Sequence, residues 1–254
     1  VAASYQAGTA YTPNSVYGWG LVDADRAVRG PGQLVGAFGA NVGDYASTFS
    51  NVIAGSGSLV VDGAAGSLEL SADNTYSGGT TINGASLVVS GSIASDVTLN
   101  GGTLTGFGSV GADVDNIAGT VATRNTTPDK GLTIGGNYTV GANGTTSIAL
   151  GHALTVGKTA KLDGALILTA PEDAYTPKST ETLIAAGAVD GAFATTDDSK
   201  LVYYTAKVNY DATSVTADLT RVNVVHATSM SSSVLADMAQ GLEGALKQAD
   251  GWSQ

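Results

Sequence analysis

A histidine base in this chain of 254 residues could only be His152 or His226, and there is no cysteine to serve as a thiol nucleophile. A serine hydrolase needs a nucleophile, a histidine base and a carboxylate that orients the base. His226 immediately precedes Ala227-Thr228-Ser229-Met230, which makes Ser229 the nucleophile to weigh. His152 sits in Ala149-Leu150-Gly151-His152-Ala153-Leu154, a strand-turn setting, and reads as a turn or surface residue. Paired acids raise the question of calcium: Asp23 with Asp25, Asp113 with Asp115, and Asp197 with Asp198. Calcium takes about six to eight oxygens at defined spacing. Neither an EF-hand loop nor a glycine-rich calcium nonapeptide is present. Asp113 and Asp115 flank Val114 on a strand pattern, so they share one face, the solvated outer one. Gly101-Gly102 and Gly135-Gly136 lack the G-x-x-x-x-G-K-S/T pattern of a phosphate cradle and read as corners between strands. Asn125, Asn137 and Asn143 each begin a glycosylation sequon, a chance match in a threonine-rich chain. No residue is assigned a catalytic, cofactor-binding or metal role.

Composition narrows the class. Glycine is abundant at 35 residues and proline scarce at 5, while charged residues make up only 13%, against roughly 25% in ordinary domains. Apolar content of 43% is enough to fold. Glycine, threonine, serine, asparagine and valine together describe short strands joined by tight turns. The net charge of −11 repels phosphate backbones, so nucleic acid is excluded as a partner. Absence of cysteine excludes disulfides and thiolate metal sites. No apolar run reaches the roughly 18 residues of a membrane-spanning helix. Val1 is not a natural start, and both termini read as processing boundaries.

The elements that must position any site follow the turn signals. Gly30-Pro31-Gly32 is a strong breaker closing a first unit. That unit carries Tyr5, Tyr11, Tyr17 and Trp19, aromatics that 30 residues cannot bury alone and that need a partner surface. From Ser58 the pattern repeats: Ser58-Leu59-Val60-Val61-Asp62-Gly63 is echoed 28 residues on by Ser86-Leu87-Val88-Val89-Ser90-Gly91, and Thr80-Thr81-Ile82-Asn83-Gly84 by Val97-Thr98-Leu99-Asn100-Gly101. Further strands are expected over 102–105, 110–114, 131–140, 145–150 and 162–169. Turn spacing alone fits a sandwich or barrel; shared sequence between segments favours a stacked solenoid. Alternation in Val202/Tyr204 and Val215/Ala217/Leu219 predicts closing strands, and an open solenoid end requires such a cap. Val234, Leu235, Met238, Leu242 and Leu246 then fall at helical spacing, with Ser231 to Ser233 available as N-cap.

Three stretches resemble known families. Tyr17-Gly18-Trp19-Gly20-Leu21-Val22-Asp23-Ala24-Asp25-Arg26-Ala27-Val28 resembles the last helix of subtilisin-like (S8 family) serine proteases. Asn74-Thr75-Tyr76-Ser77-Gly78-Gly79-Thr80-Thr81-Ile82-Asn83-Gly84 resembles the autotransporter-associated β-strand repeat. The C-terminal helical pattern is similar to the linker that threads an outer-membrane β-barrel. The resemblance implies an all-β chain: a right-handed parallel β-helix with a C-terminal cap, a short N-terminal helix and a C-terminal linker helix. It divides the chain into 1–32, the end of a protease domain; 33–180, the stalk; 181–225, an autochaperone-like cap; and 226–254, the linker toward a barrel. Thr228-Ser229-Met230 is similar to part of the subtilisin nucleophile motif, but Ala227 replaces the leading glycine, and no catalytic fold surrounds Ser229. The implied Asp, His and Ser triad lies outside this sequence. The resemblance thus implies a surface or secreted Gram-negative protein using type V secretion. Its partners would be an upstream protease domain, a barrel and protein substrates, and this part would be a stalk that aids folding and secretion. A β-helical adhesin is the alternative. A polysaccharide-degrading β-helix ranks last, because the stalk is poor in Arg and Lys.

Overall fold

The computed structural model describes residues 25, 28–123, 131–170, 180–201, 204–222, 241 and 244–245. Alternating side chains make short strands, and glycine or asparagine ends each one after a few residues, so the chain turns onto a new face. The first coil contains β1 (Ala37–Asn41) and β2 (Ala46–Phe49). The second has β3 (Ser58–Asp62), β4 (Ser67–Leu70) and β5 (Asp73–Asn74); the third has β6 (Thr80–Ile82), β7 (Ser86–Val89) and β8 (Ser92–Ile93). Next come β9 (Val97–Leu99), β10 (Thr103–Gly106) and β11 (Ser109–Val110), then β12 (Val114–Asn116), β13 (Thr120–Thr123) and β14 (Thr133–Ile134). The last coils are built from β15 (Tyr138–Val140), β16 (Thr145–Ala149), β17 (Leu154–Leu162), β18 (Ala165–Thr169), β19 (Thr180–Gly191) and β20 (Thr195–Lys200). The hairpin β21 (Tyr204–Tyr210) and β22 (Ser214–Arg221) follows.

Three parallel ladders run along this β-helix. One stacks β1-β3-β6-β9-β12-β15-β17, and a second stacks β2-β4-β7-β10-β13-β16-β18-β20. The third, β5-β8-β11-β14, joins the first through the long β17, which pairs with β14 at Thr155 and Val156 and with β15 at Ala160 and Lys161. Register places like on like: Leu68, Leu87, Leu104 and Val121 stack through successive coils, and all four are fully buried. Each such side chain contributes roughly 2 kcal/mol of burial. Parallel ladders buried on one face with tight corners are the solution available to strands too short for hairpins.

The coil length is not constant. Leu59 stacks on Thr80, Thr80 on Val97, Val97 on Val114 and Val114 on Tyr138. The 28-residue echo therefore is not a coil: Ser58–Asp62 pairs with β1 and β6, whereas Ser86–Val89 lies in the second ladder with β4 and β10. A Ser-Leu-Val-Val strand suits any face that is buried on one side, so shared sequence did not mean shared position. The shorter echo does stack, Thr80–Ile82 on Val97–Leu99. The single strands expected over 110–114 and 131–140 are each split by a corner, at residues 111–113 and 135–137. These corners stack on one another, Gly135 donating its N–H to Val110 O at 2.7 Å and Gly136 to Ala112 O at 3.0 Å.

Residues 25, 28, 241, 244 and 245 are helical. The rest of the two expected helices, including Tyr17–Ala24 and Val234–Met238, lies outside the described residues, as do His226 and Ser229.

Candidate functional site

The C-terminal end of the β-helix is where the topology changes. β19 stacks in parallel on β17, then β22 adds to it in antiparallel fashion, and β21 to β22. Alternation explains the fit: Val215 and Ala217 face inward and are fully buried with Leu183 and Ile184, while Phe193 and Leu201 close the edge. Tyr204, Val208, Tyr210 and Leu219 pack against that cluster. Polar groups fix the register. Asp218 accepts from Thr180 Oγ1 at 2.9 Å and from Asn209 Nδ2 at 2.7 Å; these donors, Thr180 foremost, hold its carboxyl below the usual carboxylate range. Asp198 accepts the Ala206 N–H at 2.9 Å. The antiparallel hairpin thus covers the edge that another parallel coil would otherwise extend.

The outer face of the second ladder is a different kind of surface. A shallow trough of about 300 Å³ crosses β2, β4, β7 and β10, lined by Ser47, Thr48, Ser67, Glu69, Val88 and Phe107 among others. A continuation of about 240 Å³ reaches Thr103, Thr105 and Ala122. Among the described residues Glu69 is the only ionisable one lining either, and it accepts from Ser90 Oγ at 2.5 Å and Thr48 Oγ1 at 3.3 Å.

Inside the helix, polar side chains replace missing backbone partners at corners. Asn74, 1% exposed, accepts the Ile53 N–H at 3.0 Å and donates to Ala72 O at 2.8 Å and Ser92 O at 3.0 Å, tying three coils together. Asn116 accepts from Gly119 N–H and donates to Thr145 O, both at 2.9 Å. Tyr76 bonds Thr80 Oγ1, and Tyr138 bonds Thr146 Oγ1 at 2.7 Å. Burial pushes both phenols up to about 12. Sequence reasoning named Asn74 only as part of the repeat motif and did not single out Asn116. The available signal was Asn74-Thr75-Tyr76 at the start of the repeat motif.

The weighed site residues that lie among the described ones do not converge. His152 lies in the turn after β16 but is buried at 5% exposure, not at the surface, with neither ring nitrogen hydrogen-bonded. The turn folds it under the coil instead of outward. Asp113 and Asp115 are both exposed. Asp113 Oδ1 accepts the Asn137 N–H at 2.7 Å, and the Asn137 side-chain amide adds to it; both, the backbone donor first, hold the carboxyl low. Asp197 accepts the Ser199 N–H at 2.9 Å, and Asp25 pairs with Arg29. Among the described residues no three His, Asp or Glu side chains group to hold a metal ion.

Comparison with known proteins agrees with this geometry. Residues 59–89 match the passenger-associated-transport-repeat family, a stretch that runs from β3 through β7. Over 88 residues the chain is 42% identical to the Neisserial autotransporter lipoprotein NalP of Neisseria meningitidis serogroup B, both in strain MC58 and in the serotype 15 strain H44/76. The match covers 33% of this chain, which spans only 8% of the length of these curated relatives. The repeat and the similarity support an autotransporter passenger with β-repeats, a cell-surface or secreted protein of a Gram-negative bacterium.

Proposed function

We propose that this chain is the stalk and folding module of a secreted subtilisin-like serine endopeptidase, presenting a protease domain at the cell surface. The observation that carries the reading is a parallel β-helix bearing a passenger-associated-transport-repeat at 59–89, directly downstream of Tyr17–Val28 with its resemblance to the end of a subtilisin-like domain. Residues 1–32 complete the protease, 33–180 form the stalk, 181–225 close it, and 226–254 lead toward an outer-membrane barrel. The physical role follows from stacking. No nucleotide is hydrolysed outside the cell, but each coil that adds buries side chains such as Ile82, Leu87, Val89 and Ile93 completely. Burial at about 25 cal/mol per Å² biases an emerging chain outward. The β21–β22 hairpin gives that growth a first folded end, because it pairs antiparallel with β19 and needs no preceding coil as a template. The triad of the parent protease is carried upstream, and this chain by itself has no peptidase activity.

The test uses the protein recovered from its native cell surface, labelled with a fluorophosphonate probe and analysed by intact mass. A labelled upstream polypeptide continuous with, or tightly held by, this chain is the expected result. Absence of label and of any upstream protease-sized partner would replace the reading with that of an adhesin-type passenger. Peptidase activity of the isolated chain would also overturn it.

A further inference from the structure

The sequence holds three asparagine–glycine pairs, Asn83-Gly84, Asn100-Gly101 and Asn143-Gly144. Such a pair carries a reaction of its own. Glycine has no Cβ to keep its backbone nitrogen away from the preceding side chain, and that nitrogen can attack the side-chain carbonyl carbon. In sequence the three pairs are equivalent; in the fold they are not. Gly101 N–H donates to Ile82 O at 3.2 Å, and Gly144 N–H to Gly141 O at 2.9 Å. Gly84 N–H makes no hydrogen bond among the described residues, although its neighbours do: Asn83 N–H donates to Val61 O at 3.0 Å and Ala85 N–H to Gly63 O at 2.8 Å. The nucleophile is therefore free at one pair and engaged at the other two.

The side chain of Asn83 is exposed and held at both ends. Its Oδ1 accepts from Asn100 Nδ2 at 3.0 Å, and its Nδ2 donates to Asp62 Oδ1 at 3.0 Å. Attack on Cγ places negative charge on Oδ1, where the Asn100 amide already donates. The departing nitrogen gathers positive charge as it takes up a proton, beside the Asp62 carboxylate. Polar groups set in advance where charge develops lower a barrier without reorganisation. We propose that Asn83 is a site of spontaneous deamidation, assisted by Asp62 and Asn100. The bond from Gly84 N to Asn83 Cγ forms, the Cγ–Nδ2 bond breaks, the Gly84 proton passes to the leaving group, and ammonia departs. Water then opens the cyclic imide at either carbonyl, leaving aspartate or isoaspartate. Either product loosens the stack of β6 on β3. Aspartate faces Asp62 with a like charge in place of a donor. Isoaspartate adds a methylene to the main chain at a corner where a Cβ on Gly84 would already lie 2.1 Å from Gly63 O. The site lies within residues 59–89, the matched repeat. Its conversion is a slow, one-way weakening of the coil stack in that repeat, whatever domain precedes the β-helix.

The test incubates the full chain in heavy-oxygen water at mildly alkaline pH, once folded and once in guanidinium chloride, and follows the three pairs by peptide mass mapping. Heavy oxygen separates conversion during incubation from conversion during later handling. In guanidinium chloride the three pairs are expected to convert at similar rates. In the folded protein Asn83 is expected to convert about five- to tenfold faster than Asn100 or Asn143, the ratio set by having to free one bonded N–H first. No conversion of Asn83 in the folded protein, one common rate for all three pairs, or Asn100 or Asn143 ahead of Asn83 would each overturn the proposal. Asp62→Ser, with an intact β-type circular dichroism spectrum, is expected to slow Asn83 severalfold and leave Asn143 unchanged. An unaltered or faster Asn83 in that variant would overturn the assistance by the carboxylate. Converted protein, separated by charge, is expected to exchange the Ala85 N–H faster than unconverted protein; equal exchange would count against a loosened stack.

Discussion

Four glycines separate two effects that corners combine, backbone hand and stacking clearance. At Gly102, φ is +63 and an added Cβ would lie 1.5 Å from Gly84 O and 2.4 Å from Ala85 O. At Gly79, φ is +82 but the nearest atom to a Cβ is Asp96 O at 3.6 Å. Gly84 is the reverse, with no positive φ but a Cβ 2.1 Å from Gly63 O. Gly111 has neither problem, its nearest contact being 3.6 Å. Alanine in the left-handed region costs about 1–2 kcal/mol, which is the whole expected effect of Gly79→Ala. Gly84→Ala must push coils apart where Ala85 N–H bonds Gly63 O at 2.8 Å, a loss of roughly 1–3 kcal/mol. Gly102→Ala carries both terms. It strains the bonds from Thr103 N–H to Ala85 O and from Thr120 N–H to Gly102 O, for roughly 2–5 kcal/mol in all. Gly111→Ala is expected to be neutral or to stabilise by about 0.4–1 kcal/mol through the unfolded chain. Urea midpoints of the four variants, read by circular dichroism, give the order Gly111, Gly79, Gly84, Gly102, with the middle two close. A Gly102→Ala midpoint equal to that of Gly111→Ala would refute the clearance argument, and so would a fully tolerated Gly84→Ala.

Three further outcomes follow from buried polar groups. Asn74→Leu leaves the Ile53 N–H and Ser92 O without their partner, and is expected to cost roughly 2–5 kcal/mol, with fast hydrogen exchange at Ile53; a chain of wild-type stability would show that water substitutes for the amide. Tyr76 and Tyr138 titrate at about 12 when folded against about 10 when unfolded. Their contribution to stability is therefore complete below pH 10 and is lost as pH rises from 10 toward 12. Absorbance at 295 nm should show two late-titrating phenols, and titration of all ten tyrosines together in the folded protein would contradict their burial. His152→Leu removes two buried ring nitrogens without hydrogen-bond partners and is expected to raise stability by roughly 1–3 kcal/mol for each orphaned group relieved, read as a higher urea midpoint; a lower midpoint would mean that the imidazole is held by a polar partner.

Composition, turn residues and alternation made much of the architecture legible. Ser67-Leu68-Glu69-Leu70 and Val215-Thr216-Ala217 show in the sequence which side chains turn inward, because side-chain direction in a strand has a period of two whatever the strand pairs with. Glycine pairs at 101–102 and 135–136 marked corners: Gly102 takes a positive φ, and at all four an added Cβ would press on a neighbouring coil. The Asn74–Gly84 motif pointed to a repeat of passenger type, and the lone histidines gave no support to a triad.

Pairing was another matter. Ser58–Asp62 and Ser86–Val89 look alike yet lie in different ladders, since the same alternation satisfies every face and only the corner lengths between them decide which strands meet. Neither Asn74 nor Asn116 stands out locally as a buried group; the folded coils enclose both and supply three backbone partners to Asn74 and two to Asn116. His152 went inside because its turn is covered by neighbouring coils that lie far away in sequence. Phe38 is the converse: it stacks on the fully buried Leu59, yet is itself 36% exposed. The sequence by itself determined what each strand buries and where it ends, because those properties are local. The tertiary structure decided which coil lies on which, and hence which polar groups are enclosed, because stacking depends on residues that the chain brings together only when it folds.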